Sequence, residues 1–457
     1  MMPIPVKLRI CQSEPLDYNP KQLDGVAQAL DILNKQFRNK VSFLSLTGKR
    51  RPRELDSIVS CRITNIDNFH DRKTINGLEY TSSYYVGQAI VNLPTGESIE
   101  ITIEPDLEGA VRNHLLEYAC GVYLPQELNG NGGNDRNGSH WLLLLMWRCA
   151  FERALRFSSI PKAYIQKNEN MRCFRGRLDV AKHIKENLTD QSRFYCDYRP
   201  MSFDITINKV IRYVYKLVLN ASSGIDRKAF LSLATHDERL AAFGVSNAPV
   251  LPEAIDRIKY TRMTEAYRPL MAISKTLIKH FGASDYNCSS DALSYFVDWT
   301  EVWENYLLKV MQRNIPDYVF ISPNDSSEKT FLLQCGREIR PDFLVYKDGE
   351  LIAVMDAKYK NYTKIGNIED EKEGIVNRQD LYQMTTYLYC YSTTPEKRIK
   401  GIFLSRGKSE NVQSSPYCNS ALHGELALLN LPLPDSIGEL RIREKEFAKR
   451  LSRYLNS

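Results

Sequence analysis

Arg340 to Lys360 (RPDFLVYKDGELIAVMDAKYK) is the stretch whose residue types and spacing could do chemistry. Two apolar runs, Phe343-Leu344-Val345 and Leu351-Ile352-Ala353-Val354-Met355, flank Asp348-Gly349. A D-G step between such runs predicts a β-hairpin. Asp342, Asp356 and Lys358 fall at its open end. Asp356 and Lys358 are two apart on a strand, so they share a face. Asp342 joins them in only one register. A two-residue loop at 348–349 puts Asp342 and Asp356 on opposite faces, whereas a three-residue loop from Asp348 to Glu350 sets them directly across from each other. A three-residue loop, or a bulge with the same effect on register, is therefore predicted.

Two carboxylates and a lysine on one face suit metal-assisted phosphodiester hydrolysis. Magnesium prefers carboxylate oxygens and keeps several waters when only one or two of them hold it. It lowers the pKa of a bound water and offsets charge developing on the phosphate. The lysine orients the nucleophile or stabilises that charge. The bland alternative is a surface hairpin with ordinary charges. D-x-K alone carries little weight in a chain that is 25% charged. P-D opening one apolar strand and D-x-K closing the next is far more specific.

Elements on either side would complete a site. Downstream, Asp380, Gln383 and Tyr387 fall at i, i+3 and i+7 of a predicted helix that begins near Gln379, so they share a face. Tyr387 as a packed aromatic and Gln383 as a solvated amide is the competing view of that face. Upstream, Trp299 to Val310 (WTEVWENYLLKV) reads as an amphipathic helix with Val302, Tyr306 and Leu307 on one stripe and Glu304 near its edge.

In that order, the motifs resemble a PD-(D/E)xK nuclease of the McrC type, the nuclease subunit of McrBC-like restriction systems. The residues that carry the resemblance are Trp303-Glu304, Pro341-Asp342, Asp356-Ala357-Lys358-Tyr359 and Asp380 through Tyr387. Gln383 and Tyr387 also match the Q-x-x-x-Y motif of RecB- and Cas4-like nucleases. Upstream, Arg175-Gly176-Arg177-Leu178-Asp179, Asp204, Asn208, Tyr267 and Asp298 extend it, so that it spans roughly Tyr164 to Leu404. Before that, only Tyr85-Val86-Gly87 and the strand that follows match. Trp303 stands where phenylalanine is common.

The resemblance implies a metal-dependent DNA endonuclease. Asp342 and Asp356 would bind Mg2+ (with Mn2+ as a substitute), helped by the Ala357 carbonyl. Lys358 would position or activate the attacking water. Glu304 would complete a second metal position or orient a water, and Gln383 and Tyr387 would position the DNA backbone or the lysine. It also implies cleavage of foreign or modified DNA together with an AAA+ GTPase partner of McrB type, engaged by the amino-terminal part.

The whole chain constrains these readings. Its 457 residues suggest about two to four domains. Sixty-one basic against 55 acidic residues give a formal charge of +6, which permits nucleic-acid binding without arguing for it. The ten cysteines show no C-x-x-C and no metal spacing with histidine, as expected of reduced thiols in a cytoplasmic protein. The start lacks a signal-peptide pattern, and the apolar run Trp141 to Trp147 is too short to span a bilayer, so no membrane role is expected. No Walker A motif is present, and a nucleotide-driven motor must come from another subunit.

The expected fold is α/β (α+β), in three parts. Residues 1–139 form an α/β, strand-containing partner-docking domain. Its helix is expected over Gln22 to Phe37, strands over Ser42 to Leu46 and Ile58 to Ile66, a hairpin across Pro94-Thr95-Gly96 and a helix from Val111. Lys49-Arg50-Arg51-Pro52-Arg53 reads as a solvated loop or as a contact to DNA phosphates or a partner. Leu128 to Ser139 reads as a flexible loop. Residues 140–290 are expected to be mostly helical, with Arg175-Gly176-Arg177 either binding phosphate or forming a turn paired with acids such as Asp179. None of the isolated His183, His236 and His280 has the spacing of a metal ligand. Residues 291–457 form the nuclease core, a mixed sheet flanked by helices, with a polar loop over Asn361 to Arg378, a strand from Lys400, an edge strand over Leu426 to Pro432 and a charged terminal helix. A standalone RecB- or Cas4-like repair nuclease is the nearest rival, although no four-cysteine cluster lies near the site. A non-catalytic activator of the AAA+ partner is the rival of another class.

Overall fold

A computed structural model of the chain describes residues 4–9, 15–16, 20–36, 42–45, 59–64, 77–82, 84–107, 109–121, 141–157, 159–221, 230–231, 233–281, 294–323, 330–332, 337–365, 374–392, 399–408, 413–418 and 423–457. The basic run Lys49 to Arg53 and the glycine- and asparagine-rich stretch Leu128 to Ser139 lie outside them. The chain divides into two compact units, one of Met1–Leu142 with Leu293–Ser457, the other of Leu143–Ala292. The middle part of the sequence is therefore a unit of its own, whereas the first and third parts, expected to be separate, fall in one unit. The reason is strand pairing: Tyr295–Asp298 lies antiparallel to Tyr85–Asn92 and parallel to Ser42–Leu44.

In the larger unit a five-stranded sheet runs in the order Ile4–Arg9, Ser98–Glu104, Tyr85–Asn92, Tyr295–Asp298, Ser42–Leu44. SIEITIE alternates as its pattern dictates, with Ile99, Ile101 and Ile103 buried. Its hairpin closes through Leu93 to Glu97, where Gly96 takes φ +85°. Gly87 is required by close approach, because a Cβ there would lie 2.1 Å from the Tyr295 carbonyl oxygen.

The second large sheet has six strands, ordered Val319–Ile321, Phe343–Lys347, Glu350–Lys358, Lys400–Ser405, His423–Asn430, Gln413–Cys418. Glu350–Lys358, Lys400–Ser405 and His423–Asn430 are mutually parallel, and the outer strands pair antiparallel. The strand expected at the edge, over Leu426 to Pro432, is thus internal, and Gln413–Cys418 takes the edge. The run ELALLN is nearly continuous in apolar residues, which is the mark of a strand covered on both faces.

Helices cover both faces. On one, the site helix Arg378–Tyr391 packs Met384, Tyr387 and Leu388 against Leu344, Val354, Phe403 and Leu428. Gly401 lets it lie close, since a Cβ there would meet Leu388 Cδ1 at 2.9 Å. The central helix Trp299–Asn314 contacts the strand Glu350–Lys358, the helix Gly109–Cys120 and the terminal helix Ile437–Asn456. It buries Trp299, Trp303, Tyr306 and Leu307 completely. Asp298, Asn377 and Ser436 cap the central, site and terminal helices by accepting from the N–H of Thr300, Asp380 and Glu439.

The smaller unit contains the helices Trp141–Phe157, Thr206–Ala221, Ala234–Ala242 and Arg268–Phe281. Contrary to the mostly helical expectation, strands run through 163–202: Lys167–Met171, Arg177–Leu178 and Phe194–Tyr198 form one small sheet, and Ala163–Tyr164 with Met201–Ser202 another. Apart from the half-buried Phe194–Tyr198, these strands are short and largely exposed, so little period-2 apolar pattern announces them. Asn208 donates to the carbonyls of Pro161 and Phe203, Tyr267 to that of Ser159, and Asp204 accepts from the Ser246 N–H. Asp179 caps Val180–Asn187 by accepting from the Lys182 N–H. Gly176, at φ +69°, allows a turn in which a Cβ would lie 2.4 Å from the Asp197 carbonyl oxygen.

Candidate active site

The hairpin turns on two residues. Asp348 and Gly349 take φ +52° and +83°, both in the left-handed region that a tight two-residue turn demands. Lys347 pairs with Glu350 and Tyr346 with Leu351, and the register then shifts so that Val345 faces Ala353 and Phe343 faces Met355. A bulge at Ile352 thus performs the shift a longer loop would have made. Continued one step, this register sets Asp342 across from Asp356. The Ala357 N–H donates to Asp342 Oδ2 at 2.7 Å.

The sheet's two faces differ at this end. Leu344 and Val354 belong to the cluster under the site helix. Asp342, Asp356 and Lys358 have the same parity, so they open toward that helix. Tyr359 has the opposite parity and meets Trp303 of the central helix, ring centroids 5.8 Å apart.

Lys358 is the hub. Its Nζ lies 2.7 Å from Asp356 Oδ2 and 3.3 Å from Asp380 Oδ1, and donates to Gln383 Oε1 at 2.9 Å. Gln383 Nε2 donates to Tyr387 Oη at 2.6 Å, and Tyr387 donates to the Arg340 carbonyl at 3.0 Å. The helix face i, i+3, i+7 therefore grips the lysine and ties back to the residue before Pro341. Asp380 also accepts from Lys360 at 2.9 Å and from Tyr362. Lys360 and Tyr362 escaped the sequence reading. Their signal was the alternation Lys358, Lys360, Tyr362 running past the strand end.

The electrostatics follow from burial and crowding. Asp356 is 2% exposed. Burial first, then the neighbouring Asp342 carboxylate, push its carboxyl up to about 7 despite Lys358. Burial alone would lower Lys358, but Asp356 and Asp380 hold it above its ordinary value. Burial opposes ionisation of Asp380 too, yet Lys358, Tyr362 and Lys360 keep it below the usual carboxylate range. Lys358 is thus a fixed ammonium, and Asp356 a carboxyl poised near neutrality.

Asp342, Asp356 and the Ala357 main chain stand together at one strand end. Among the described residues, no three His, Cys, Asp or Glu side chains converge closely enough to hold a metal ion. Glu304 therefore does not complete a three-carboxylate set. It sits one residue from Trp303, on the helix that packs against the other face of the sheet. Two carboxylates and a backbone carbonyl could hold a metal here, a set that would suit magnesium's habit of retaining water. The polar loop of Asn361 to Arg378 is described at its ends, where Thr363 N–H meets the Gly374 carbonyl at 2.6 Å; residues 366–373 lie outside the described set.

A mixed α/β sheet that gathers two aspartates and a lysine at the carboxyl end of its central strands defines the class. The chain belongs to the family described as McrBC 5-methylcytosine restriction system component, whose model matches residues 83–399. It is similar in fold to a chain of the Thermococcus gammatolerans structure described as a refined half-complex from a tetradecameric assembly of McrB AAA+ hexamers with bound McrC. The TM-score is 0.55 at 16% identity, covering 98% of this chain and 100% of that one. A cryo-EM structure of the Thermococcus gammatolerans McrBC complex matches at TM-score 0.38 and 16% identity, over 68% of this chain and 88% of that one. No curated protein matches the chain significantly. No helix among the described residues is long and apolar enough to cross a membrane.

Proposed function

We propose that this chain is the metal-dependent DNA endonuclease subunit of a McrBC-like restriction system, with a PD-(D/E)xK core. The observation that carries the reading is the convergence of Asp342, Asp356 and Lys358 on one face, with Lys358 held by Gln383 and Asp380. Asp342, Asp356 and the Ala357 carbonyl would hold magnesium, with manganese as a substitute. When bound, the metal supplies Lewis-acid stabilisation of the phosphate and a water of lowered pKa.

The chain's own residues do the rest. Lys358 remains charged, so it donates hydrogen bonds to a phosphate oxygen or to the attacking water and does not act as a general base. Gln383 and Tyr387 fix its direction through the bonds that end on the Arg340 carbonyl. Asp342 is held by the Ala357 N–H, which orients its carboxylate before substrate arrives. Asp356 must lose a proton to accept a cation, so metal affinity rises with pH through neutrality. Glu304 is left a water-orienting role, outside the ligand set.

An AAA+ partner of McrB type is part of the proposal. Membership of the family and the description of the Thermococcus structure, McrB hexamers with bound McrC, support it. The amino-terminal part is the proposed docking region. The test is plasmid cleavage in magnesium with and without the AAA+ protein, comparing wild type with Asp356→Ala. Cutting by wild type only with partner and nucleotide, and none by the variant, is expected. Cutting by wild type alone favours a standalone nuclease. Equal behaviour of both proteins, with partner hydrolysis still stimulated, means the hairpin is not the active site and the chain is an activator.

A further inference from the structure

In the smaller unit, residues 172–176 (RCFRG) connect the strands Lys167–Met171 and Arg177–Leu178. These strands flank Phe194–Tyr198, and both run antiparallel to it. The connection must therefore cross that strand. Met171 pairs with Phe194 and Arg177 with Asp197, so the crossing advances three residues, roughly 10 Å, along it. It lies over the face that carries Phe194, Cys196 and Tyr198. Phe174 meets Phe194 edge to face, ring centroids 6.0 Å apart, and the Arg175 N–H donates to Cys196 Sγ at 3.3 Å. At Gly176 a Cβ would lie 2.7 Å from Tyr198 Cβ, and the Asp179 N–H donates to the Tyr195 carbonyl at 2.8 Å. The backbone is thus pinned along its length.

Its cations are not. Arg172, Arg175 and Arg177 are exposed, and none pairs with a carboxylate among the described residues. The acids around them are engaged elsewhere. Asp179 accepts from the Lys182 N–H at 3.1 Å and from Asn168 at 3.2 Å. Asp190 accepts from Ser192 at 2.6 Å, Glu169 from Tyr198 at 2.8 Å, and Asp197 from Gln166. The glycine turn is therefore formed, but its arginines do not pair with Asp179. Residues 162–201 hold nine basic and five acidic residues, a surplus of four in a chain whose whole surplus is six. Phe174 stands among the arginines, 56% exposed.

We propose that this crossing is a contact to the DNA backbone, in which Arg172, Arg175 and Arg177 receive successive phosphates and Phe174 packs against the sugars between them. The inference rests on the reading that the chain acts on DNA. One DNA strand presents a phosphate about every 3.4 Å of helix axis, so about three fall alongside a crossing of roughly 10 Å. Guanidinium groups suit phosphate oxygens in pairs, and a pinned backbone leaves only side chains to order on binding. Such contacts hold and orient the duplex without reading its sequence.

The test measures binding of a short fluorescent duplex DNA to the full chain in chelator, across a range of salt. Wild type is compared with Arg172→Gln, Arg175→Gln, Arg177→Gln, their triple combination, Phe174→Ala and Lys216→Gln, an exposed control on the helix Thr206–Ala221. Each arginine variant is expected to raise Kd several-fold and to lower the slope of log Kd against log salt by about one, and the triple by about three. Phe174→Ala should raise Kd with the slope kept, and Lys216→Gln should change neither. Thermal midpoints should stay level, since the arginines are exposed and unpaired. An unchanged slope in the triple variant, a loss no larger per charge than in Lys216→Gln, or no salt-dependent binding by wild type overturns the assignment. So does a triple variant that binds DNA like wild type but no longer associates with the AAA+ protein, which would make the crossing a protein interface. Plasmid cleavage by wild type with that partner, run alongside, separates the two readings. Cleavage with an unchanged slope sinks the crossing alone; a lowered slope without cleavage sinks the nuclease and leaves the DNA contact.

Discussion

Two buried carboxylates in the larger unit show opposite uses of the same group. Glu444, on the terminal helix, is 4% exposed and among the described residues faces neutral or switchable donors, Tyr306 at 2.8 Å and His114 at 3.1 Å. Burial and the nearby Glu444 hold the Tyr306 hydroxyl well above its ordinary value, so it stays a donor. Asp356, equally buried, faces another aspartate and a lysine that two carboxylates share. The first cluster is satisfied by the protein and joins three helices. The second leaves excess negative charge at the end of a strand. A buried polar group that the fold completes contributes stability, and one that the fold leaves incomplete marks a place for something else to bind.

The largest effect should come from breaking the second cluster. Asp356→Ala is expected to lower cleavage on the order of 10³-fold or more, while the thermal midpoint of the metal-free protein stays level or rises. A midpoint that collapses instead would make Asp356 structural, like Glu444. The converse variant, Glu444→Ala, strands the His114 and Tyr306 donors and should cost about 3 kcal/mol by denaturant titration. Its cleavage per folded molecule should stay within about twofold of wild type, as befits a site that acts independently.

The pH dependence sharpens the contrast. Asp356 holds its proton to about 7 in the folded protein against an ordinary 3.8. The stability this gives is complete below about pH 4 and is lost as pH rises through 7. The unfolding free energy of metal-free wild type should thus fall between pH 5 and pH 8 relative to Asp356→Asn, by on the order of a few kcal/mol, and its midpoint with it. Magnesium should restore it. Parallel midpoint curves for the two proteins would remove the electrostatic conflict from the site. The smallest effect expected is from Tyr387→Phe, which cuts the link between Gln383 and the Arg340 carbonyl. About 1 kcal/mol, or a several-fold fall in cleavage rate without change in midpoint, is the outcome to look for.

Much of the site could be read from local periodicity. A strand repeats every two residues and a helix every 3.6, so Asp356 with Lys358 and Asp380 with Gln383 and Tyr387 were bound to share faces. The need for a register shift also followed from the chain, since a D-G turn alone would have separated the aspartates. Which device supplied it did not, because a bulge at Ile352 and a three-residue loop satisfy the same apolar pattern. The strands of 163–202 were missed for the opposite reason. Strands of two to five residues, most of them exposed, leave little periodic trace and look like loop.

The hairpin, its charged open end, the face of the site helix and the polar-to-apolar pattern of the sheet follow from local sequence, because each depends on residues within a few positions of one another. Folding alone brings Asp380 to share Lys358 with Asp356, places Glu304 on a helix at the other face, and joins the first and last parts of the chain in one unit. Those contacts cross parallel strands or link segments tens to hundreds of residues apart. Their geometry depends on how sheets and helices stack once the apolar faces are buried, which no local spacing encodes.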